Sequence, residues 1–308
     1  MANNMPVSPV RLLILGANGQ VGFELQRALS LLGEVIAADR SIVDLSDPAR
    51  IRAYVREVLP AVIVNAAAYT AVDKAETDSA MARAINADAV GALASVASEL
   101  GCLLVHYSTD YVFDGSKAEA YQETDTPAPI NVYGQTKLAG EQLIQQQCAR
   151  HLVFRTTWVY GVHGGNFVKT MLRLAKDRDS LNVVNDQFGA PTSAALIADV
   201  TASVIKQYLV SDPMHFPYGI YHLAAAGETN WHAYASFAIG LARQLGMPLT
   251  LDPVNIQAIP GSAYPVPAAR PANSRLDCRK LQQTFGITLP SWQQHVQQTV
   301  QLITELSR

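Results

Sequence analysis

Along the first half of the chain, short and largely apolar runs alternate with longer stretches whose apolar residues recur every three or four positions. VRLLIL (10–15) reads as a buried strand, and GQVGFELQRALSLLG (19–33) as a helix closed by Gly33. EVIAAD (34–39) is a second strand. Asp47-Pro48 then supplies an N-cap and a first-turn proline for a helix through Val58. AVIVNAAA (61–68), CLLVHYS (102–108) and HLVFRTT (151–157) are three more strands. Helical patterns at 77–100 and 131–149 separate them. Strands that lack polar alternation and are separated by helices predict a parallel sheet covered on both faces. Crossover chirality makes this a doubly wound, Rossmann-type α/β fold.

Past residue 158 the rhythm changes. Pro and Gly become denser, in APTS, DPMHFPYG and IPGSAYPVPAARP, while helical patterns persist at 163–177, 193–209, 231–246 and 291–306. The pattern predicts a sheet domain over 10–157 and a smaller mixed lobe over 158–308, with a soft boundary across which elements can be shared.

Composition narrows the function classes. The 308 residues are 49% hydrophobic and 16% charged, with a net charge of −3, so there is no basic field suited to nucleic acid or an anionic membrane. No apolar run approaches the ~20 residues needed to span a bilayer. The N-terminus, MANNMPVSP, has neither the basic nor the apolar region of a signal peptide. The three cysteines are far apart and form no C-x-x-C pair, which fits a reducing cytoplasm. The seven histidines show no ligand spacing, so a metal-centred mechanism is not indicated.

The first strand runs into GANGQVG. Gly16, Gly19 and Gly22 form a G-x-x-G-x-x-G turn, with Asn18, Gln20 and Val21 inside it. Such a turn exposes backbone N–H groups and a helix N-terminus to a diphosphate, and Gly22 is expected to let the helix pack closely on the sheet. Asp39 ends the second strand, where an acid accepts hydrogen bonds from a ribose. Arg40 beside it suits a 2′-phosphate, so either nicotinamide cofactor, NADPH or NADH, is compatible. Asp44 and Leu45 are candidates to cover the adenine, and Ala66, Ala67 and Ala68 to let a flat cofactor lie against the third strand.

The fourth strand ends in STD, which puts Thr109 at the carboxyl edge where open α/β sheets bind ligands. Tyr133 and Lys137 follow in NVYGQTKLAGE, one helical turn apart on one face, with Gln135 pointing away. Reducing a ketone requires a hydride on carbon and a proton on oxygen. A phenol can donate that proton, and a neighbouring ammonium lowers its ordinary pKa of about 10. Lys137 is placed to do this and to reach a nicotinamide ribose, while the Thr109 hydroxyl polarises the carbonyl.

At this point the chain resembles the extended short-chain dehydrogenase/reductases, and within them the dTDP-4-dehydrorhamnose reductase family. GANGQVG, NAAAYTAVDKAE, VHYSTDYVFDG, NVYGQTKLAGE, FRTTWVYG, NFVKTMLRLAK, VVNDQFGAPTS and RPANSRLD follow the family's order from residue 11 to about 290. The resemblance implies reduction of the 4-keto group of dTDP-4-dehydro-L-rhamnose to dTDP-L-rhamnose, a sugar nucleotide for surface glycans. It makes Tyr133 the proton donor, with Lys137 and Thr109 its partners, and puts Asp110 near the sugar. It makes Trp158 a substrate wall, with Asn166, Gln187 and Arg270 as nucleotide or sugar contacts. Arg270 suits a diphosphate and equally suits a structural ion pair.

Two features depart from the family. Some members form a magnesium-bridged homodimer through acidic residues. Glu24 matches one such position, but Ala195 stands where a second acid is expected, so magnesium and the homodimer stay open. Two other readings share the fold: a sugar-nucleotide epimerase or dehydratase, which would want a D-E pair where this chain has T-D, and a non-catalytic NADP-binding regulatory subunit.

Overall fold

The structure, a computed structural model, describes residues 9–306. In chain order its principal elements are β1 (Arg11–Leu15), α1 (Gln20–Leu29), β2 (Glu34–Ala38), α2 (Pro48–Val58), β3 (Val62–Asn65), α3 (Val72–Ala75), α4 (Ser79–Arg83), α5 (Ala89–Leu100) and β4 (Leu103–Thr109). They continue with α6 (Val132–Gln147), β5 (His151–Thr156), β6 (Val159–Tyr160), α7 (Phe167–Asp177), β7 (Leu181–Val184), β8 (Phe188–Gly189), β9 (Thr192–Ser193) and α8 (Ala194–Val210). The last are β10 (Gly219–His222), β11 (Thr229–Asn230), α9 (Trp231–Gln244), β12 (Ile256–Ile259), α10 (Arg279–Phe285) and α11 (Trp292–Leu306).

Six parallel strands form the central sheet in the order β10-β5-β4-β3-β1-β2. The period of two in a strand sorts its residues onto the two faces. Leu12, Ile14, Val62, Val64, Leu103, Val105, Leu152 and Phe154 pack on one side with residues of α1 and α8. Leu13, Leu15, Ile63, Leu104 and Val153 pack on the other with residues of α2, α5 and α6. Each such fully buried aliphatic side chain contributes about 1.5–3 kcal/mol. The doubly wound sheet follows from these unbroken apolar runs. The order reverses between β1 and β3, which opens a crevice at their carboxyl ends.

Strand β10 comes from beyond residue 158 and completes the sheet against β5. The rest of the C-terminal half forms three short strand pairs, β6–β9, β7–β12 and β8–β11, with the helices packed around them.

Two expectations change. Helix α1 ends at Leu29, four residues before Gly33. Gly33 is needed for a different reason: a Cβ there would lie 2.1 Å from the Val10 carbonyl oxygen. The long helix expected over 77–100 runs continuously from Ser79 to Leu100, but it widens into a π turn over Ala84–Asp88 between α4 and α5. Within that turn Asn86 is buried and clamps the segment after β3. It accepts from the Tyr69 N–H at 2.8 Å and donates to the Tyr69 carbonyl at 3.1 Å. Periodicity does not register a one-residue widening of the helix, but a buried asparagine among alanines is its mark.

Candidate active site

The glycine turn is held by its own backbone. The Gly16 N–H donates to the Ala38 carbonyl, and the Gly19 N–H to the Gly16 carbonyl, each at 3.0 Å. Gly16 has φ +81°, and a Cβ there would lie 2.7 Å from the Ala67 nitrogen. A Cβ on Gly22 would lie 2.1 Å from the Gly16 oxygen. Gly22 therefore lets α1 close against the turn itself rather than against the sheet. No side chain caps α1, so the positive end of its dipole is free for an anion.

At the end of β2 the Asp39 carboxylate is fixed from two sides. Asn18 Nδ2 donates to Oδ2 at 2.7 Å, and the Ser41 N–H and hydroxyl donate to Oδ1 at 2.9 and 2.6 Å. These bonds, the Ser41 hydroxyl first, hold Asp39 below the usual carboxylate range. Arg40 is exposed and approaches Asp44 at 3.8 Å.

Apart from Gly22, which lies behind the turn, these groups line one cleft of about 980 Å³ at the carboxyl edge of the sheet. Gly16, Asn18, Gly19, Gln20, Val21, Asp39, Arg40, Asp44, Leu45, Ala66, Ala67 and Ala68 line its nucleotide side. Thr109, Asp110, Tyr133, Lys137 and Trp158 line the rest.

Helix α6 carries Tyr133 and Lys137, and its start is fixed from several directions. Asn131 caps it, accepting from the Gly134 N–H at 2.8 Å, and its own amide donates to the Ala269 carbonyl at 2.8 Å. Glu76 accepts from the Val132 N–H at 2.9 Å. Gly134 is more than a spacer, since a Cβ there would lie 2.1 Å from the Tyr111 carbonyl oxygen. Tyr133 thus sits edge-on to the Tyr111 ring, at 5.8 Å between centroids. Gln135 is exposed.

The electrostatics of this wall differ from the expectation in one respect. Burial pushes the Tyr133 phenol up to about 12, against a hydrogen bond with Thr109 that lowers it. Lys137 does not offset this, because its ammonium position is occupied elsewhere. Nζ lies 2.6 Å from the Tyr107 carbonyl oxygen and 3.0 Å from His106 Nε2. Burial lowers Lys137 itself to about 8, against the pull of Glu141. Asp110 is buried, and burial raises it to about 6. Its Oδ1 accepts from the Thr109 hydroxyl at 3.1 Å, and the Ser274 and Thr157 hydroxyls also bear on the carboxyl and pull its pKa down, although Oδ2 makes no hydrogen bond of ordinary length. Ser108 Oγ and Thr156 Oγ1, also on the cleft, are buried without partners. Buried polar atoms left unpaired on a cleft wall are ready to meet a hydroxylated ligand.

The C-terminal half closes the cleft with aromatic rings. Trp158 adopts φ +45°, a left-handed conformation that a tryptophan rarely takes. Its ring stacks on Trp231 at 3.6 Å and 16°, and lies where a Cβ on Gly189 would fall 2.7 Å away. Trp231 also lines the cleft and was not among the expected residues. Gln187 stands behind it, accepting from the Trp231 indole N–H at 3.2 Å. Asn166 lies outside the cleft lining, as the cap of α7. It accepts from the Lys169 N–H at 3.1 Å and donates to Gln20 Oε1 and the Gly161 carbonyl. Arg270 lines a smaller hollow of about 370 Å³ together with Gln187. It pairs with Asp73 at 2.8 Å and lies over the Tyr111 ring, with Nη1 buried and unpaired.

Glu24 is outside the cleft, 3.5 Å from Arg27, which reaches Asp199 at 2.9 Å. Among the described residues no group of three or more His, Cys, Asp or Glu could hold a metal ion. None of their helices is long and apolar enough to cross a membrane.

Fold and cleft together define the class: a Rossmann-type α/β protein whose main cleft joins an uncapped glycine turn to a Thr-Tyr-Lys wall. A family model described as "RmlD substrate binding domain" matches residues 10–305, and the chain belongs to that family. It is 52% identical over 288 residues to a dTDP-4-dehydrorhamnose reductase of Escherichia coli K12, covering 92% of this chain and 95% of that protein. A solved dTDP-4-dehydrorhamnose reductase from Bacillus anthracis, in complex with NADP, superimposes with TM-score 0.85 at 33% identity, covering 95% of this chain and 99% of that one. The Clostridium acetobutylicum structure of the same description superimposes with TM-score 0.88 at 35% identity, covering 96% and 99%.

Proposed function

We propose that the protein is a dTDP-4-dehydrorhamnose reductase, which reduces the 4-keto group of dTDP-4-dehydro-L-rhamnose with NADPH or NADH to give dTDP-L-rhamnose. The observation that carries the reading is the single cleft in which an uncapped helix N-terminus and the Thr109–Tyr133–Lys137 wall face one another. The turn fits a dinucleotide, since it closes this tightly only because Gly16 and Gly22 lack Cβ atoms, which would strike backbone, and no side chain caps the helix. The amides of 19–22 would hold the diphosphate, Asp39 the adenosine ribose, and Arg40 a 2′-phosphate where there is one. When bound, the nicotinamide supplies the hydride.

The remaining chemistry belongs to the chain. Thr109 Oγ1 and the Tyr133 hydroxyl orient the carbonyl oxygen, and Tyr133 delivers its proton there. A phenol near 12 is fully protonated at neutral pH and therefore loaded for that transfer. Asp110 Oδ2 and Ser108 Oγ, buried and unpaired, bind sugar hydroxyls. Trp158 and Trp231 form an apolar wall for the sugar ring and keep water out. Arg270 stands one ring away, with a free donor for the nucleotide diphosphate. We place the enzyme in the cytoplasm, where its three free, buried cysteines stay reduced.

The test is oxidation of NADPH or NADH by purified protein supplied with dTDP-4-dehydro-L-rhamnose generated in situ. Substrate-dependent loss of 340 nm absorbance is expected. Cofactor binding without turnover on that sugar would instead support the regulatory-subunit reading.

A further inference from the structure

Residues 268–271 form a short strap beside the catalytic helix, and four attachments hold it. Asp73, in the first turn of α3, accounts for two of them. Its Oδ1 accepts from the Ala268 N–H at 3.2 Å, and its Oδ2 from Arg270 Nη2 at 2.8 Å. Between these points the Ala269 carbonyl accepts from the Asn131 amide at 2.8 Å. Next along, Pro271 is wedged against Gly115, where a Cβ would lie 2.6 Å from the proline Cβ. The strap is thus tied to the segment that leaves the cofactor wall, through Asp73, and to the cap of α6, through Asn131.

These ties orient the Arg270 guanidinium. One nitrogen is paired with Asp73, and one face lies over the Tyr111 ring at 6.0 Å. A guanidinium is planar, so fixing one nitrogen and one face fixes the direction of its other donors. Among them is Nη1, buried and without a hydrogen-bond partner. Tyr111 lines the main cleft, and Arg270 lines the smaller hollow. Arg270 therefore stands where the two meet.

We propose that Asp73 is a positioning residue for the substrate, holding Arg270 in advance with Nη1 presented to the diphosphate of the nucleotide sugar. The proposal rests on the reading of the substrate as a nucleoside diphosphate sugar whose sugar end lies at Thr109 and Tyr133. Asp73 acts through Arg270 and touches neither ligand. Two effects oppose each other here. The carboxylate repels an anionic ligand, but it also relieves that ligand of ordering a long, flexible side chain. The repulsion is weak, since the Asp73 side chain is 42% exposed and both its oxygens face donors. Ordering prevails. The pairing is also specific to a carboxylate, which accepts at both oxygens. An asparagine has one acceptor and must turn its amide N–H₂ toward either the Ala268 N–H or Arg270.

The test measures binding to the full chain of dTDP, by titration calorimetry, and of thymidine, which lacks the diphosphate, by ligand line broadening. Asp73→Asn should weaken dTDP about tenfold, some 1.4 kcal/mol, and leave thymidine and cofactor affinities within about twofold. In turnover, KM for the nucleotide sugar should rise by the same factor with kcat nearly constant. Asp73→Glu, which keeps both acceptors, should recover most of the dTDP affinity. Equal losses for dTDP and thymidine would make Asp73 a structural residue only, and unchanged or tighter dTDP binding would mean that its charge outweighs ordering; either result overturns the proposal. A measurement on the wild type needs no variant to fold: the Arg270 Nε–H order parameter, assigned with Arg270→Lys, should exceed about 0.8 before dTDP is added. A value below about 0.6 would also overturn the proposal. Wild-type protein that binds dTDP while Asp73→Asn binds it equally well refutes this proposal alone. Wild-type protein that neither binds dTDP nor turns over the sugar nucleotide refutes the reductase reading, and the proposal with it.

Discussion

The two long walls of the cleft work by different physics. The nucleotide wall is backbone: a tight turn, an uncapped helix end, and a carboxylate held by Asn18 and Ser41 at the protein surface. Its electrostatics come from dipoles and from hydrogen bonds to a charged group, and burial contributes little. The opposite wall is side chain. His106, Asp110 and Lys137 are withdrawn from water and Tyr133 is largely so, and for each of the four burial is the first cause of the shift from its ordinary pKa. A wall made of backbone is disrupted by adding atoms. One made of buried polar groups is disrupted by removing a partner.

The largest expected effect probes the second wall at its base. Arg155 and Glu141 are both buried and pair in a bidentate fork. Glu141→Gln leaves the guanidinium charge unpaired and should cost about 3–5 kcal/mol, read as a lowered midpoint in urea unfolding. An unchanged midpoint would mean that this wall does not depend on paired burial.

Asp110 tests the same idea through pH. Its folded pKa of about 6 lies above the ordinary aspartate value of 3.8. Between these values the folded state holds more protons than the unfolded one. Stability attached to Asp110 is thus complete below about pH 4 and is lost as pH rises through 6, by up to about 3 kcal/mol. Asp110→Asn should flatten that slope, and parallel curves for the two proteins from pH 4 to 7 would contradict it.

The nucleotide wall is tested by addition. Gly22→Ala places a methyl 2.1 Å from the Gly16 oxygen, so the turn must open. Cofactor affinity by titration calorimetry should fall at least about tenfold, some 1.4 kcal/mol. Retained affinity would show that the turn yields freely.

The smallest effect belongs to the aromatic end. Trp231→Leu removes the partner that stacks on Trp158, a contact worth about 0.5–1.5 kcal/mol. KM for the sugar nucleotide should rise several-fold with kcat nearly constant, and the exciton-coupled circular dichroism of the indole pair should vanish. A fall in kcat at constant KM would instead give Trp231 a part in the chemical step.

The same contrast explains what could be read from the sequence. The glycine spacing, Asp39 at a strand end, and Tyr133 one turn before Lys137 are local patterns, and the backbone carries them directly into three dimensions. The first five strands were legible for the same reason, with ends displaced by up to three residues, whereas β10, which joins the sheet from beyond residue 158, and the short strand pairs were not read. What was not legible depends on contacts between distant segments. The direction of the Tyr133 shift is one case, because Lys137 turns toward His106 and the Tyr107 carbonyl. Trp231 is another, reaching Trp158 from the start of α9. The purpose of Gly33, Gly134 and Gly189 appears only once the group each approaches is in place. Asn65 and His106 left a faint signal as polar residues inside apolar strands, which in a buried sheet must be paired.

The most direct test of the central claim compares Tyr133→Phe with wild type on dTDP-4-dehydro-L-rhamnose, measuring turnover and cofactor affinity on the same preparations. The account predicts a kcat lower by about 10²–10⁴-fold with cofactor affinity nearly unchanged, since the lost hydroxyl is the proton donor while the nucleotide wall is intact. A variant that turns over at the wild-type rate would contradict it.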